Sequence, residues 1–392
     1  MKFLKNTHLH DIIKSLNLVH LKRISRYSKI EITPKLGANL NGYYRERYSD
    51  HIIEPLYVTT LAVSDEENTI LAISLDISEI LQKDTDDIRA RISKRTSVPF
   101  EAIFLSCIHT HTAPVISEIR SFFKRDEKYY EFFCECICKS ATEAIANQKD
   151  ASPSYSVGKA EGISFIRRFR MKDGTAKTNP GVNNPDIVRS IGLLDERVNV
   201  IRFERECGDN VVIGNYGNHP DVIGNNKASA DWPGFTRRIF EKAIDNTKCV
   251  FFNGAQGDIN HVNVKPVGGD LNGMFNDFDD VTRGYAHSRH MGNVVAGALM
   301  NVYEKVEFIP VNEIKFVEEI VNVASNKPLP EEMEEARYIH QMHLDGKDAE
   351  LPYQGMMLTT MVADAGRKVR LENAPEFFPM NLTAIKIGDV AF

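Results

Sequence analysis

The sequence predicts an α/β fold, in one large domain built on a mostly buried mixed sheet flanked by helices. Two observations support this prediction. Strand-like apolar runs alternate with helix-like segments along most of the 392 residues, as they do in α/β proteins. The strand-like runs are also apolar almost throughout, rather than at every second residue, which indicates strands covered on both faces.

The predicted elements follow one another without a flexible linker. Apolar runs predict strands at 69–76, 101–111, 198–204, 210–219 and 248–258, and a last strand in NLTAIKIGDVAF. Helical spacing of apolar residues predicts helices at 84–95, 128–147, 232–244 and 284–306. Strand, helix and strand in succession predict that the sheet is covered by helices on both faces.

Two segments differ from this alternation. Residues 1–28 have the apolar spacing of a basic amphipathic helix, so we expect a helical extension before a domain at 29–392. The segment from about 320 to 375 is rich in Glu, Met and Lys and contains the helical stretch PEEMEEARYIHQMHL. We expect it to form a peripheral insertion or cap on the domain.

Composition and charge exclude several classes. The net charge is −6, whereas nucleic-acid and anionic-membrane binding favour a basic balance. The N-terminus lacks the apolar core of a secretory signal, and no stretch approaches the ~18 apolar residues of a membrane span. We therefore expect a cytoplasmic protein. Cys134, Cys136 and Cys138 lie in a helical stretch, where alternate residues point apart, so we expect buried thiols rather than metal ligands.

Four predicted strands end in ionisable side chains. These are Asp76, the pair His109 and His111, then His219, and finally Asp258. In open α/β sheets, ligands bind beyond the carboxyl ends of the strands. The sequence therefore predicts that these groups meet at one edge of the sheet and form an active site.

The pattern His109-Thr110-His111 is the sharpest feature of this predicted site. On an extended backbone, residues i and i+2 face the same side, so both imidazoles can reach one cavity. His219 adds a third imidazole, and catalytic zinc usually takes three protein ligands and a water. The pair alone could also be hydrogen-bonded loop histidines, but the third histidine favours a metal site, with one Zn²⁺ ion as the expected cofactor.

Other polar residues near the strand ends have two open interpretations. Asp258 could orient a metal-bound histidine or bind substrate, or it could simply cap a turn, and His261 lies three residues further on. Asp231 precedes a helix, where it could serve as a cap or reach the site. Arg167 and Arg168 could bind a substrate carboxylate or phosphate, or form structural ion pairs. Asp76 is either an orienting group or a structural one.

Seven stretches in this order are similar to the N-terminal catalytic domain of the neutral/alkaline, non-lysosomal ceramidase family. HTHTAP at 109–114 resembles the most specific signature of that family. The other stretches are 30–44, 51–67, 73–78, NHPDVIG at 218–224, SADWPG at 229–234 and NGAQGDIN at 253–260. The resemblance covers most of residues 30–310 and is closest to short bacterial members.

The resemblance implies a zinc hydrolase that cleaves an amide bond, as the family cleaves ceramide into a fatty acid and sphingosine. His109 and His219 would be zinc ligands by their motif positions, and His111 would be catalytic or would support an oxyanion. Metal-polarised carbonyl or metal-activated water would supply the chemistry.

Two departures from the family pattern bear on the substrate. Asn260 stands where the family has a serine with a catalytic role, and His261 follows it as a replacement acid or base. The loop P-G-E, which holds a further family ligand, is absent, and the expectation is a domain truncated at Phe392. These departures place ceramide itself in doubt.

Three functions therefore remain open. The first is a zinc-dependent hydrolase that cleaves an amide or ester bond in a small or lipid-like substrate. The second is a metal-dependent enzyme that acts on a small polar or sugar-derived substrate. The third is an inactive fragment or binding protein. A lipid requires an apolar groove, whereas a polar substrate requires a small charged pocket, so the cleft above His109 and His219 separates the first two.

Overall fold

The computed structural model describes residues 24–43, 46–118, 124–147, 149–266, 284–310 and 313–391. Within these residues the strands are β1 Ile24–Glu31, β2 His51–Ile52, β3 Tyr57–Ser64, β4 Thr69–Leu75, β5 Ile103–Cys107, β6 Lys149–Lys159, β7 Phe165–Ile166, β8 Arg168–Met171, β9 Ala176–Thr178, β10 Ile187–Ser190, β11 Arg197–Arg205, β12 Asn210–Tyr216, β13 Lys227–Ala228, β14 Thr247–Asn253, β15 Ile259–Asn260, β16 Glu307–Phe308, β17 Ile314–Ala324, β18 Phe377–Ile387 and β19 Val390–Ala391. The helices are α1 Gln82–Thr96, α2 Glu127–Ala146, α3 Asp231–Ala243, α4 Gly284–Val302, α5 Met333–Leu344 and α6 Gly355–Leu371.

The main sheet is mixed, as the sequence predicts. Its strands run in the order β14-β12-β11-β6-β1-β3-β4-β5, and β16 pairs with β6. The pairs β4–β5 and β12–β14 are parallel, and the other pairs are antiparallel. A parallel pair needs a crossover connection. Along the chain, α1 lies between β4 and β5, and α3 lies between β12 and β14. The predicted α/β fold class is confirmed.

The order of strands divides this sheet into two halves of the same design. In one half, β1, β3, β4 and β5 lie side by side, and in the other β6, β11, β12 and β14 do so in the same sequence order. In each half, the first two strand pairings are antiparallel and the third is parallel. The halves join at the short β1–β6 pairing, Ile24 with Asp150 and Ser25 with Lys149.

The two halves pack face to face rather than lying side by side. Val250 and Phe252 of β14 belong to a core shared with β3, β4 and α2, whereas Cys249 and Phe251 belong to a second core shared with α4. The Ser74 hydroxyl in β4 donates a 2.5 Å hydrogen bond to the Phe251 carbonyl. The sequence predicted that the ionisable groups meet at one edge of one sheet. That detail is wrong, because the site lies where the strand ends of two half-sheets meet.

Helix α2 shows how sequence spacing produces this packing. The Asp126 carboxylate caps its N-terminus by accepting from the amides of Lys128 and Tyr129, which satisfies donors that the helix leaves open. Its apolar side chains recur at helical spacing and are buried against the first half-sheet. The three cysteines of this helix, Cys134, Cys136 and Cys138, are free and buried, which confirms their expected role as core thiols.

The segment that the sequence singles out near 320–375 lies between two long strands. Strands β17 and β18 form an antiparallel ladder from Ile314–Ile387 to Ala324–Phe377. Helices α5 and α6 lie between them in the chain and share a small core of their own, made of Ala336, Ile339, Leu351, Val362 and Ala365. We call β17 and β18 the arm, and residues 325–376 the cap.

The N-terminal prediction is wrong over its last residues. Residues 1–23 of the predicted helical extension lie outside the described residues. From Ile24 onward the chain is strand β1, which pairs with β3 over all eight residues, so residues 24–28 are not helical. Cross-strand pairing overrides the amphipathic spacing here. Among the described residues, no helix has the length and apolar character that crossing a membrane requires.

Candidate metal centre

The three histidines lie in loops just beyond the strand ends. Strand β5 ends at Cys107 and β12 ends at Tyr216, so the predicted strands through His111 and His219 are too long. The backbone of His109 turns into the left-handed region, with φ of 70°. His109 and His111 therefore converge through a turn, and not through the extended i, i+2 geometry that the sequence prediction assumed.

The Nε2 atoms of the three imidazoles point towards one another. The Nε2 atoms of His219 and His111 are 3.0 Å apart, and those of His111 and His109 are 3.4 Å apart. The ring planes cross at 71° to 86°, so the rings surround a point instead of stacking. In the described part of the chain, this is the group of histidine, cysteine and carboxylate side chains that is placed to hold a metal ion.

The opposite nitrogen of each ring faces an acceptor. His109 Nδ1 lies 2.9 Å from the Ser78 carbonyl and His219 Nδ1 lies 3.1 Å from the Gln256 carbonyl. A carbonyl only accepts, so both Nδ1 atoms carry the proton and both Nε2 atoms present a lone pair. His111 Nδ1 lies 3.5 Å from a carboxylate oxygen of Asp221. The two carbonyls are partners of the kind that fix the orientation of metal-binding histidines, whereas the Asp221 contact is a charge contact without a hydrogen bond.

A polar network holds the backbone and ring of His111. The Tyr43 hydroxyl donates to the same Asp221 oxygen at 2.7 Å. The Arg47 guanidinium donates to the His111 carbonyl at 2.6 Å and lies 3.9 Å from the centre of the Tyr43 ring. Gly42 packs directly against His111, at a φ of 103°. The sequence interpretation missed these residues, although Asp221 stands in the quoted stretch NHPDVIG.

Burial keeps His111 and His219 neutral by lowering the pKa of each ring. It is the main cause that lowers the pKa of His219 to about 3, and the positive charge of Arg167 and the His109 ring lower it further. The pKa of His111 also lies well below its usual value, because of burial, the neighbouring imidazoles, Arg47 and Arg167. Neutral imidazole is the form that binds metal ions.

A cavity of about 710 Å³ opens above the three histidines. The domain supplies one side of it and the cap supplies the other, through the end of α5, the following loop and one face of α6. Most of its lining side chains are polar or charged, and the apolar ones are few. The lining includes Asn41, Tyr43, Glu79, Arg167, Asn179, Asp221, His343, Asp348, Leu358, Thr359, Thr360, Val362, Asp364, Arg367 and Arg370.

The two predicted arginines lie in different environments. Arg167 lines the cavity, and its guanidinium donates to the Gly257 carbonyl at 2.5 and 3.0 Å. Arg168 is exposed and lies 3.7 Å from the exposed carboxylate of Asp258. Neither Arg168 nor Asp258 lines the cavity. The acceptor that orients His219 is the Gln256 carbonyl, and not the Asp258 carboxylate that the sequence suggested.

Asn260 and His261 lie behind the cavity wall. Both are buried, and neither lines the cavity. The Asn260 amide donates to the Asn179 side chain at 3.0 Å, and its oxygen accepts from the Val262 amide. The His261 ring packs edge-on against His287, with 5.0 Å between centroids. The short pairing of β15 with β7 holds Asn260 opposite Phe165.

Asp231 is a structural residue and not a substrate ligand. It is fully buried, at a positive φ of 54°. One carboxylate oxygen accepts from the amides of Val222 and Ile223, and the other accepts from the Trp232 amide and the Ser288 hydroxyl. These bonds hold the loop that carries Asp221, and Asp231 does not line the cavity, which agrees with the capping interpretation; a substrate contact stays a prediction.

The sequence left Asp76 as either an orienting group or a structural one, and its contacts support the structural role. It is fully buried. Its carboxylate accepts from Arg237 at 2.6 Å and from the Tyr57 amide at 2.8 Å. This buried ion pair ties strand β4 to helix α3 and places Asp76 away from the cavity lining.

Among the comparisons with known proteins, the one with solved structures identifies a similar fold. No protein-family model and no curated protein matches the sequence. A crystal structure of neutral ceramidase from Pseudomonas aeruginosa is similar, with a TM-score of 0.67 and 17% identity over 95% of this chain and 61% of that one. A structure titled as ceramidase complexed with C2 is similar too, with a TM-score of 0.66 and 16% identity over 95% of this chain and 62% of that one.

This chain thus spans about three fifths of the length of the ceramidase structures that it matches. The match includes nearly all of this chain. The α/β domain of this chain therefore has the neutral ceramidase-like fold.

Proposed function

We propose that this chain is a metal-dependent hydrolase that cleaves an amide or ester bond, with one zinc ion held by His109, His111 and His219. The convergence of three Nε2 atoms, each with its Nδ1 turned towards an acceptor, is the observation that supports this function best. The ceramidase-like fold supports the choice of hydrolysis.

The distances fit the proposed ion. Zinc binds imidazole nitrogen at roughly 2.0–2.1 Å in a tetrahedral arrangement, which puts neighbouring nitrogens about 3.3 Å apart. Two of the three Nε2 separations, those from His111 to His219 and to His109, are 3.0 and 3.4 Å, and all three ligand atoms lie within 4.8 Å of one another. Three nitrogen ligands also leave one tetrahedral position for water or substrate, which is the arrangement of catalytic zinc sites.

The same geometry bears on His111, which the resemblance to the family assigns a catalytic role. Its Nε2 lies between those of His109 and His219. The Asp221 carboxylate beside its Nδ1 is the kind of partner that raises the basicity of a metal-bound histidine. We therefore propose His111 as the third ligand.

Zinc would lower the pKa of a bound water and polarise a carbonyl group at this position. The chain itself would bind and orient the substrate in the cavity. Arg167 holds its positive charge beside the histidines while its guanidinium donates to a neutral carbonyl. That charge would stabilise the negative charge that develops on a carbonyl oxygen during hydrolysis.

The lining of the cavity favours a small polar substrate over a long-chain lipid. Its apolar side chains, among them Leu358 and Val362, are outnumbered by charged and hydrogen-bonding ones. A lipid tail would leave these polar groups without water or partners, which costs free energy for each group. We therefore propose a polar amide or ester as the substrate.

The expected cytoplasmic location stays a prediction.

Elemental analysis of the purified chain tests the metal site. We expect about one zinc per chain, and a loss of most of it in each of His109→Ala, His111→Ala and His219→Ala. His51→Ala, at an exposed histidine of β2, is the control and should keep its zinc. Zinc retained by His111→Ala together with lost hydrolysis would return His111 to a catalytic role. No zinc in the wild-type chain after zinc addition would contradict the proposal and favour a binding protein.

A further inference from the structure

A second polar cluster lies on the cap side of the cavity. His343 Nδ1 lies 3.0 Å from both carboxylate oxygens of Asp348. This contact holds the imidazole in one orientation, and it favours the tautomer with a proton on Nδ1. The His343 side chain is 17% exposed and lines the same cavity as the three histidines of the metal centre. A histidine oriented by a carboxylate is the arrangement found where imidazole transfers protons.

His343 lies in the last turn of α5. Asp348 begins the short helical turn Asp348–Glu350 just after α5. The loop between them thus brings a carboxylate back to the end of the helix, beside the imidazole that faces the cavity.

The other titratable side chains of the cavity have different tasks. Asp221 accepts from Tyr43 and lies beside His111. Glu79 accepts from the Asn41 amide. Asp364 lies 2.7 Å from Arg367 and 2.8 Å from Lys368. The three histidines of the metal centre direct their lone pairs at one point, so they are poorly placed to donate protons. His343 is the side chain whose chemistry suits a proton donor.

We propose that His343 is the general acid of this site and that Asp348 is its positioning residue. The inference rests on the proposed hydrolysis. Water adds to the carbonyl carbon, and the bond from that carbon to the amide nitrogen or ester oxygen then breaks. The doubly protonated imidazole of His343 passes the proton on Nε2 to that departing atom and keeps the one on Nδ1, and the neutral ring then regains a proton on Nε2 from the added water. The products are a carboxylic acid and a neutral amine or alcohol.

A structural alternative exists for this pair, because the contact between His343 and Asp348 could simply hold the loop. The two roles differ in their dependence on the leaving group. General acid catalysis contributes about 10²–10⁴-fold when the leaving group needs a proton. It contributes little when the leaving group departs as a stable anion, as p-nitrophenolate does. A loop that is merely loosened would affect all substrates alike.

The experiment compares two acetate esters on the zinc-loaded full chain, p-nitrophenyl acetate and ethyl acetate. For His343→Asn, we expect a fall of roughly 100-fold or more in kcat/KM for ethyl acetate and a change of less than about 3-fold for p-nitrophenyl acetate. Asp348→Asn should show the same selective loss to a smaller extent. Zinc content and the thermal unfolding temperature, measured on every variant, should match those of the wild type.

His340→Asn is the matched control, because His340 lies one turn earlier on α5 and does not line the cavity. It should hydrolyse both esters as the wild type does. Equal losses on both esters in His343→Asn would overturn the role of His343, and wild-type behaviour of Asp348→Asn would overturn that of Asp348. If the zinc-loaded wild type hydrolyses neither ester, the proposed hydrolysis itself fails, which is a separate result.

Discussion

Gly42 shows how one residue controls the metal centre. A Cβ atom placed on it would lie 2.6 to 2.7 Å from three atoms of His111, among them its Cα and Cβ. Real Cβ atoms do not approach so closely, so any side chain here would displace His111. Its φ of 103° also belongs to a region that favours glycine.

We predict that Gly42→Ala lowers zinc affinity at least tenfold, because it moves one of three converging imidazoles. Gly37→Ala is the matched control, since Gly37 has a similar φ of 85° but open space where its Cβ would lie. Both variants carry the backbone cost of about 1 kcal/mol, so only the displacement of His111 separates them. Zinc titration with a competing chelator measures the difference, and equal affinities in the two variants would contradict the role of Gly42.

Glu54 is a buried carboxylate with an unusual proton affinity. Burial is the main cause that raises its pKa from 4.5 to about 7, against the opposing effects of Arg238 and of the hydrogen bond from Ser229. Its ion pair with Arg238 measures 3.0 Å, but the Arg238 side chain is 40% exposed. Water therefore screens the pairing, and the loss of hydration around Glu54 has the larger effect.

This shift predicts a pH dependence of stability. The folded chain binds the Glu54 proton more tightly than the unfolded chain, so the group lowers the free energy of unfolding as pH rises from about 4.5 to 7. Glu54→Gln should remove that contribution. We expect the stability of the variant to rise relative to the wild type by about 2.5 kcal/mol between pH 5 and pH 8, from about 1.4 kcal/mol for each pKa unit. Urea denaturation across this range measures it, and a constant difference would contradict the raised pKa.

Single residues also show what the sequence could reveal about the site. His109, His111 and His219 were predicted because each follows an apolar strand. Ser78 and Gln256 act through backbone carbonyls, which any residue type supplies, so composition gives no signal for them. Asp258 and His261 follow a strand in the same way as the three histidines. In the structure Asp258 is exposed and His261 is buried, and neither lines the cavity, a placement that tertiary packing decides and the local sequence does not reveal.

At the scale of elements, the contact between α3 and α4 depends on a missing side chain. Gly292 of α4 is fully enclosed where it meets Phe235 and Thr236 of α3. A Cβ there would overlap with Phe235, so the two helices would have to separate. Both helices cover the second half-sheet, whose core includes Trp232 and Phe251, and their separation would loosen that core.

Two substitutions on α4 should therefore have opposite effects. Gly292→Ala should destabilise the chain by about 1–3 kcal/mol, as overpacking a core does. Gly297→Ala should stabilise it by about 0.5–1 kcal/mol, because nothing lies within 4 Å of the added Cβ and alanine favours helix. Urea denaturation of both variants measures the changes. The same sign for both would contradict the packing described for Gly292.

The helices and strands whose apolar residues recur at regular spacing were predicted best. The strand at 69–76 and the helices at 84–95 and 128–147 agree with β4, α1 and α2 to within two residues at each end. Strand ends were predicted too long, because the polar loops of the site continue the apolar runs without a turn signal. Residues 24–28 were assigned to a helix because their pairing with β3 joins segments far apart in sequence.

At the scale of the whole molecule, the cap and the domain are joined through the arm. The amide of Ser325 donates to the Glu376 carbonyl at 2.8 Å, next to the last ladder pair of Ala324 and Phe377. The two ends of the cap therefore lie side by side. An Asn-Gly pair could close these strands as a two-residue hairpin, without changing the ladder below it.

We predict that replacing residues 326–375 with Asn-Gly leaves a folded chain that still binds zinc. All three proposed ligands lie in the domain, and the cap has its own small core. The shortened chain should hydrolyse p-nitrophenyl acetate but lose ethyl acetate hydrolysis along with His343. Zinc analysis and the two ester assays measure this result. A shortened chain that folds but loses its zinc would show that the cap helps to form the metal centre.

The meeting of the two half-sheets at the histidines has a consequence for folding. His109 and His111 follow the first half-sheet and His219 follows the second, and His219 lies 108 positions after His111 in the sequence. A bound ion is therefore a reversible cross-link between the halves, comparable to a disulfide across a long loop. It binds only when both halves are docked, so free metal at 100 times its dissociation constant adds about 2.7 kcal/mol to the stability of that docked state.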